Sequence, residues 1–336
     1  MKYGITQSPM KLYGLKTADE KQGSFWRLDQ EIMEKMPQYA YLGRRCCGGR
    51  VRFCTDAEEF LVRMQVARTD EDINIPLSGS AGADAYAGIG VSARYLGYLS
   101  PDKHQKESAL AEKVFRKGPG MEVVVINLPR NEHLHSMEIE FPEGSRVCEA
   151  PEYRFSKPVI FYGSSITEGG CASRVGNAYT SLVCRWLDAD YRNFGFSGSA
   201  KGETVFAEYI AAQEDMGAFV YDYDHNAPTP EHLEATHEPF FRIIRKAHPA
   251  LPVLMMSRPN TDDDPADALV RREIIRRTYE RAVNEGDRRV WFLDGHSLFG
   301  AEGRAECTVD RVHPNALGFM RMAQRVYPVL REMLLA

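Results

Sequence analysis

No stretch of this 336-residue chain is apolar for the roughly 20 residues that a membrane-spanning helix needs. An excess of basic residues is missing too. Against 42 Lys and Arg stand 47 Asp and Glu, a formal net charge of −5, which argues against nucleic acid as a partner. The first residues, Met1-Lys2-Tyr3-Gly4-Ile5-Thr6-Gln7, lack the apolar core of a secretion signal, so a cytoplasmic protein is expected. Paired Cys-x-x-Cys spacing is also absent. The seven cysteines are Cys46, Cys47, Cys54, Cys148, Cys171, Cys184 and Cys307. An odd number without a secretion signal fits a reducing compartment and free thiols rather than a zinc site. No internal repeat or low-complexity tract is found. What is present, 43% hydrophobic and 26% charged residues, is the composition of a globular protein long enough for two domains.

The two halves of the chain are patterned differently. Up to about residue 150, short runs with β character are broken by Gly, Pro and Asp. Examples are residues 50–53, 60–66, 88–91, 121–128 and 134–141. Several alternate apolar with polar residues, as half-buried antiparallel strands do. Turn signals such as Cys47-Gly48-Gly49 and Phe141-Pro142-Glu143-Gly144 separate them. An all-β sandwich over 1–150 is expected. From about Lys157 the pattern becomes strand–helix alternation. Strands are expected at 157–162, 190–194, 218–223, 252–257 and 289–293. Helices are expected near 177–187, 203–214, 230–247 and 265–285, with a last one from 314 to about 334. Five strands with crossover helices imply a parallel, doubly wound α/β sheet over 151–336.

Ligands of such sheets bind beyond the carboxyl ends of the strands, and polar segments fall at those ends here. After the first strand comes Gly163-Ser164-Ser165, and after the second comes Phe196-Ser197-Gly198-Ser199. After the third comes Asp224-His225-Asn226. Near the C-terminus stands Asp310-Arg311-Val312-His313-Pro314-Asn315. An Asp three residues before a His, with Pro next, puts an acid and an imidazole on one tight turn at a helix start, Pro314 suiting the first helical position. The carboxylate can hold one ring nitrogen while the other acts as base. Ser165 then supplies the nucleophile, His313 the base and Asp310 the orienting acid. The oxyanion formed in acyl transfer needs preset donors. The backbone N–H groups of Ser165 and Gly198 and the Asn226 amide offer three, with glycine at 198 permitting close backbone approach.

These four blocks, in this order at strand ends, resemble the SGNH hydrolases, also called GDSL-type esterases. The resemblance covers about residues 157–335. It implies a flavodoxin-like sheet, Ser165 as nucleophile, Gly198 and Asn226 as oxyanion donors, and His313 with Asp310 as base and orienter. Two departures stand out: Ser164 replaces the usual Asp of Gly-Asp-Ser, and Asp224-His225-Asn226-Ala227 replaces Gly-x-Asn-Asp. Gly82-Ala83-Asp84-Ala85-Tyr86 is similar to the Gly-x-Asp-Leu-Tyr segment of a two-domain branch whose β-rich, jelly-roll-like domain precedes the hydrolase. That branch implies acetyl esters of carbohydrates as substrates, and neither metal nor organic cofactor.

Plainer roles compete for several residues. A serine after a strand is often only a helix cap, and Asn226 could be only a turn former. Arg174 could pin the loop after the nucleophile or reach a substrate oxygen. His225 could touch substrate or sit solvated in a turn. Asp84 and Tyr86 could line the substrate rim or join domains. Glu168 reads as a solvated helix-start acid, Asp262-Asp263-Asp264 as a helix cap, and Asp294-Gly295-His296 as a polar turn. The expected reaction is hydrolysis of a small acyl ester of a sugar, with no nucleic-acid or membrane partner and with a homo-oligomer allowed. A thioesterase, a lysophospholipase or a non-catalytic carbohydrate-binding protein are the alternatives.

Overall fold

The computed structural model describes every residue except 68, 70 and 71. The chain forms two compact units. The first holds Met1–Arg154 together with two later stretches, Cys171–Asn177 and Cys184–Arg192. The second holds Phe155–Gly170, Ala178–Val183 and Asn193–Ala336.

Among the described residues the first unit contains a two-stranded ribbon, Thr17–Asp19 with Ser24–Trp26, and two large antiparallel sheets. One has the order Lys2–Gly4, Leu134–Glu140, Glu59–Val66, Ala109–Arg116. The other runs Val147–Cys148, Arg50–Thr55, Glu122–Asn127, Ala83–Ala87, Arg94–Leu99, with Lys11–Tyr13 also paired to Arg50–Thr55. Period-two alternation explains the packing. Phe60, Val62, Met64 and Val66 point inward from the first sheet and share one core with Val51, Phe53, Val124 and Ile126 of the second. Phe53 is fully buried with the rings of Phe60 and Phe141 at 5.7 and 5.5 Å, so truncation there would cost about 3–5 kcal/mol.

Burial does not alternate in every strand. Ala83–Ala87 is buried along its whole length: Ala83 and Ala85 belong to the hydrophobic core, and the alternating Asp84 and Tyr86 are buried as well. Arg94–Leu99 and Ala109–Arg116 are edge strands of their sheets. The strand expected at 88–91 is instead the connection between Ala83–Ala87 and Arg94–Leu99. Gly88 and Gly90 take φ of 96° and 68°, and Gly90–Ser92 is a single 3₁₀ turn. Left-handed backbone at both glycines is incompatible with a strand.

The second unit carries the doubly wound sheet, whose edge strand Ala189–Gly195 belongs to this unit from Asn193 onward. Its strands lie in the order Ala189–Gly195, Phe155–Gly163, Ala218–Asp222, Val253–Met256, Val290–Leu293. In chain order this is 2-1-3-4-5, the flavodoxin-like arrangement, and it places the topological switch point beside the first strand. The helices Pro230–Ala247 and Pro265–Asn284 each begin with Pro at the first helical position behind a capping side chain, Thr229 and Asp264. Asp264 thus takes the capping role read from the acidic triplet. Pro314 does not open the last helix. Asn315 is the cap, accepting from the N–H groups of Leu317 and Gly318, and the helix spans Ala316–Leu335. Pro314 is bridged to Thr308 instead.

Candidate active site

The first strand ends in a forced turn. A Cβ on Gly163 would overlap the side chains of Asp222 and Thr167. Ser164 caps the one-turn helix Ser165–Glu168 by accepting the Ile166 N–H at 3.2 Å. Ser164, standing where a Gly-Asp-Ser turn has aspartate, therefore keeps an oxygen at the cap. Gly169, at φ 96°, ends the helix, and the Gly170 N–H returns to the Ser165 carbonyl at 2.8 Å. Ser165 sits at the helix start, where the first amides lack intrahelical acceptors.

Ser165 Oγ lies 2.8 Å from His313 Nε2. His313 Nδ1 lies 2.8 Å from Asp310 Oδ2. A carboxylate only accepts, so Nδ1 carries the proton and Nε2 faces the serine hydroxyl as an acceptor. Asp310 Oδ1 accepts the backbone N–H groups of Val312 and His313 at 3.1 and 2.8 Å. One side chain thus shapes the turn and orients the ring. Burial raises the Asp310 pKa, but the backbone and ring bonds from His313 outweigh it and hold the carboxyl below its ordinary value.

Asn193 and Glu168 bind the second strand's loop to the nucleophile turn. Asn193 Nδ2 donates to the Thr167 carbonyl at 2.8 Å, and Asn193 Oδ1 accepts the Gly195 N–H at 2.8 Å. Glu168 is 2% exposed and accepts the Ser197 N–H at 2.9 Å. The solvated role expected for Glu168 is therefore corrected: the acid is enclosed between two site loops. Gly198, next in that loop, has φ 66°. A Cβ there would meet no atom within 4 Å, so the left-handed backbone, rather than protein crowding, calls for glycine. Asn226 Nδ2 donates to the Phe196 carbonyl at 2.9 Å, leaving its second N–H hydrogen for another acceptor. The Asn226 backbone N–H also closes a turn onto Tyr223 at 2.9 Å.

Sequence reasoning missed Asp222 and Asn260. Asp222 is buried beneath the nucleophile turn, accepting from Thr167 and, at 3.1 Å, from Tyr179. Burial, reinforced by Asp224, outweighs these bonds and pushes its pKa up to about 8. Asn260, 4% exposed, bonds to His225 and donates to the Arg311 carbonyl at 3.1 Å. Its place just past the fourth strand was the available signal. His225 is thus not a solvated turn residue. Asp294 caps its own turn by accepting the His296 N–H at 3.0 Å, the polar-turn role expected of it. A cavity of about 380 Å³ adjoins the triad turn, with Asn260, Asp263, Phe299 and Arg311 in its wall.

The remaining candidates lie in the first unit. Asp84 is fully buried. It accepts from Asn127 Nδ2 at 2.7 Å, from Arg174 Nη1 at 2.7 Å and from the Gly176 N–H at 3.0 Å. Tyr86 is 3% exposed and hydrogen-bonds to Arg174 through its hydroxyl. The guanidinium of Arg174 stacks 3.8 Å from the Tyr95 ring centre. A rim role for Asp84 and Tyr86 gives way to loop-holding, because burial leaves them almost no surface for a ligand. Arg174 takes the loop-pinning alternative.

A model of the GDSL-like lipase/acylhydrolase family matches residues 156–331, and one of the N-terminal domain of SGNH-type esterases matches residues 3–147. No curated protein matches the chain. Among solved structures, a protein of Bacteroides ovatus ATCC 8483 named as a GDSL-like lipase is 24% identical, with a TM-score of 0.84 over 99% of this chain and 98% of its own. The salicylyl-acyltransferase SsfX3 of a tetracycline biosynthetic pathway is 21% identical, with a TM-score of 0.79 over 99% and 97%. The acetyl xylan esterase Est2A of Butyrivibrio proteoclasticus is 14% identical, with a TM-score of 0.59 over 99% and 98%. At these identities the structural likenesses speak to the fold.

Proposed function

Since the chain belongs to the GDSL-like lipase/acylhydrolase family and is an ester hydrolase, we propose that Ser165, His313 and Asp310 carry its reaction. The carrying observation is the unbroken pair of 2.8 Å contacts from Ser165 through His313 to Asp310. In this reading His313 Nε2 takes the Ser165 proton as Oγ attacks the ester carbonyl. The imidazolium formed is stabilised by Asp310. The oxyanion is received by the backbone N–H groups of Ser165 and Gly198 and by the Asn226 hydrogen not used on Phe196. His313 then protonates the departing alcohol, and a water repeats the cycle to free the acid.

The substrate in this reading is a small acyl ester of a carbohydrate, acetyl above all. Support comes from the acetyl xylan esterase among the structural relatives. The reading includes a β domain over 1–150, a catalytic domain over 151–336 and a cytoplasmic location. Turnover of p-nitrophenyl esters of increasing chain length, with acetylated sugars alongside, tests it. Acetyl preference and loss of turnover in Ser165→Ala are expected. Preference for long acyl chains would point to a lysophospholipase, and a folded, active Ser165→Ala would end the nucleophile assignment.

A further inference from the structure

We propose that Asn260 and His225 are positioning residues that hold the His313 turn over Ser165. The inference rests on the catalytic reading above. Arg311 lies between Asp310 and His313 with φ 71°, a left-handed conformation unfavourable for any residue with a Cβ. Asp310 closes this turn from its N–H side, through Val312 and His313, and the Val309 N–H returns to the His313 carbonyl at 2.9 Å. The Arg311 carbonyl is held from elsewhere, by Asn260 Nδ2 at 3.1 Å. The Arg311 side chain is mostly exposed and its ion pair with Asp263, at 3.1 Å, is a weak anchor.

Donor–acceptor logic fixes the whole chain. A carbonyl can only accept, so the Asn260 NH₂ must face Arg311 and Asn260 Oδ1 must face His225. His225 Nε2 is in hydrogen-bond contact with that oxygen, so Nε2 bears the proton. Neutral His225 satisfies this arrangement. Burial, joined by the charges of Arg258 and His313, pulls the His225 pKa down to about 3 against the opposing Asn260 bond. A neutral ring here does not oppose the imidazolium that His313 must become.

The segment that carries His225 is itself fixed. Arg271, 6% exposed in the helix Pro265–Asn284, donates to the carbonyls of Asp224 and Ala227 at 2.6 and 2.9 Å. Asp224 Oδ2 accepts the Arg258 N–H at 3.0 Å. Adjacent residues of this segment therefore serve opposite sides of the site. Asn226 reaches the loop of Gly198 through Phe196, and His225 reaches the turn of His313 through Asn260.

The test is a double-mutant cycle read by kcat, KM and melting temperature. Asn260→Ala should lower kcat about 100-fold, the scale of a misplaced catalytic group, with KM nearly constant. Glycine takes the left-handed conformation freely, so in an Arg311→Gly background the loss from Asn260→Ala should shrink by about ten-fold. His225→Gln, which keeps an N–H donor, should lose less than His225→Leu. This comparison carries the test if Asn260→Ala does not fold. An unchanged kcat in Asn260→Ala, equal losses in the two backgrounds, or equal losses in the two His225 variants would overturn the proposal. Ser165→Ala measured in parallel separates the two readings: an inactive Ser165→Ala beside an unaffected Asn260→Ala removes only the tether, whereas an active Ser165→Ala removes the catalytic reading itself.

Discussion

Replacing Asp310 by asparagine changes one atom and should silence the enzyme without unfolding the turn. Asp310 Oδ1 accepts two backbone N–H groups, from Val312 and His313, while Oδ2 accepts the ring at 2.8 Å. Asparagine has one oxygen and one NH₂. The oxygen must stay with the two backbone donors, since an NH₂ there would leave both unpaired. The NH₂ then faces His313 Nδ1. A donor facing Nδ1 drives the ring proton to Nε2, the atom that lies 2.8 Å from Ser165 Oγ. A protonated, neutral-ring Nε2 cannot take the serine proton. Triads with this substitution lose about 10⁴ in kcat, roughly 5 kcal/mol of transition-state stabilisation. Steady-state turnover of p-nitrophenyl acetate should show that fall in kcat with an almost constant KM and melting temperature. Asp310→Ala should lose activity and also melt earlier, because the turn loses its acceptor. An Asp310→Asn enzyme within about ten-fold of the unmodified one, roughly 1.4 kcal/mol, would refute the tautomer argument.

Asn226→Ala should lower kcat about 10²–10³-fold with little change in KM, as for loss of one oxyanion donor. A matching rise in KM with a lower melting temperature would assign Asn226 to the turn instead. Asp222 has a pKa of about 8 in the fold against about 3.9 unfolded. Its favourable contribution is therefore complete below the unfolded value and is lost as pH rises toward 8. The melting temperature of Asp222→Asn should fall less than that of the unmodified protein between those limits, and parallel profiles would contradict the shifted carboxyl. Asp84→Ala strips Arg174 and Asn127 of a fully buried acceptor. It should destabilise the first unit by about 3 kcal/mol in denaturant unfolding, and a loss near zero would mean the pair contributes nothing.

The second unit was more legible in the sequence than the first. Ala218–Asp222, Val253–Met256 and Val290–Leu293 are apolar runs closed by Asp or Ser, and the long helices Pro230–Ala247 and Pro265–Asn284 begin at capping residues, so both period and punctuation agree. Phe155–Gly163 and Pro265–Asn284 lie close to their expected bounds for that reason. In the β unit, Ala83–Ala87 alternates alanine with Asp84 and Tyr86, a pattern that reads as one solvated face, yet every residue of it is buried. In the site, Ser165, His313 and Asp310 were readable because an Asp three residues before a His and a Ser after a strand are local patterns. The partners of Glu168, Asp222 and Asn260 lie between 29 and 55 residues away in sequence. Their burial is decided by how strand ends converge, which no local pattern encodes. The same holds for Asp84, whose partners at Asn127 and Arg174 are 43 and 90 residues distant.

The central claim is that Ser165 becomes acylated and His313 activates it. The most direct measurement is acid quenching during turnover of a slowly hydrolysed ester, followed by mass spectrometry of the digested enzyme. The account predicts one acyl group on the peptide containing Ser165, absent in Ser165→Ala and greatly slowed to form in His313→Ala. An acyl group on another residue, or undiminished turnover by a folded Ser165→Ala enzyme, would contradict it.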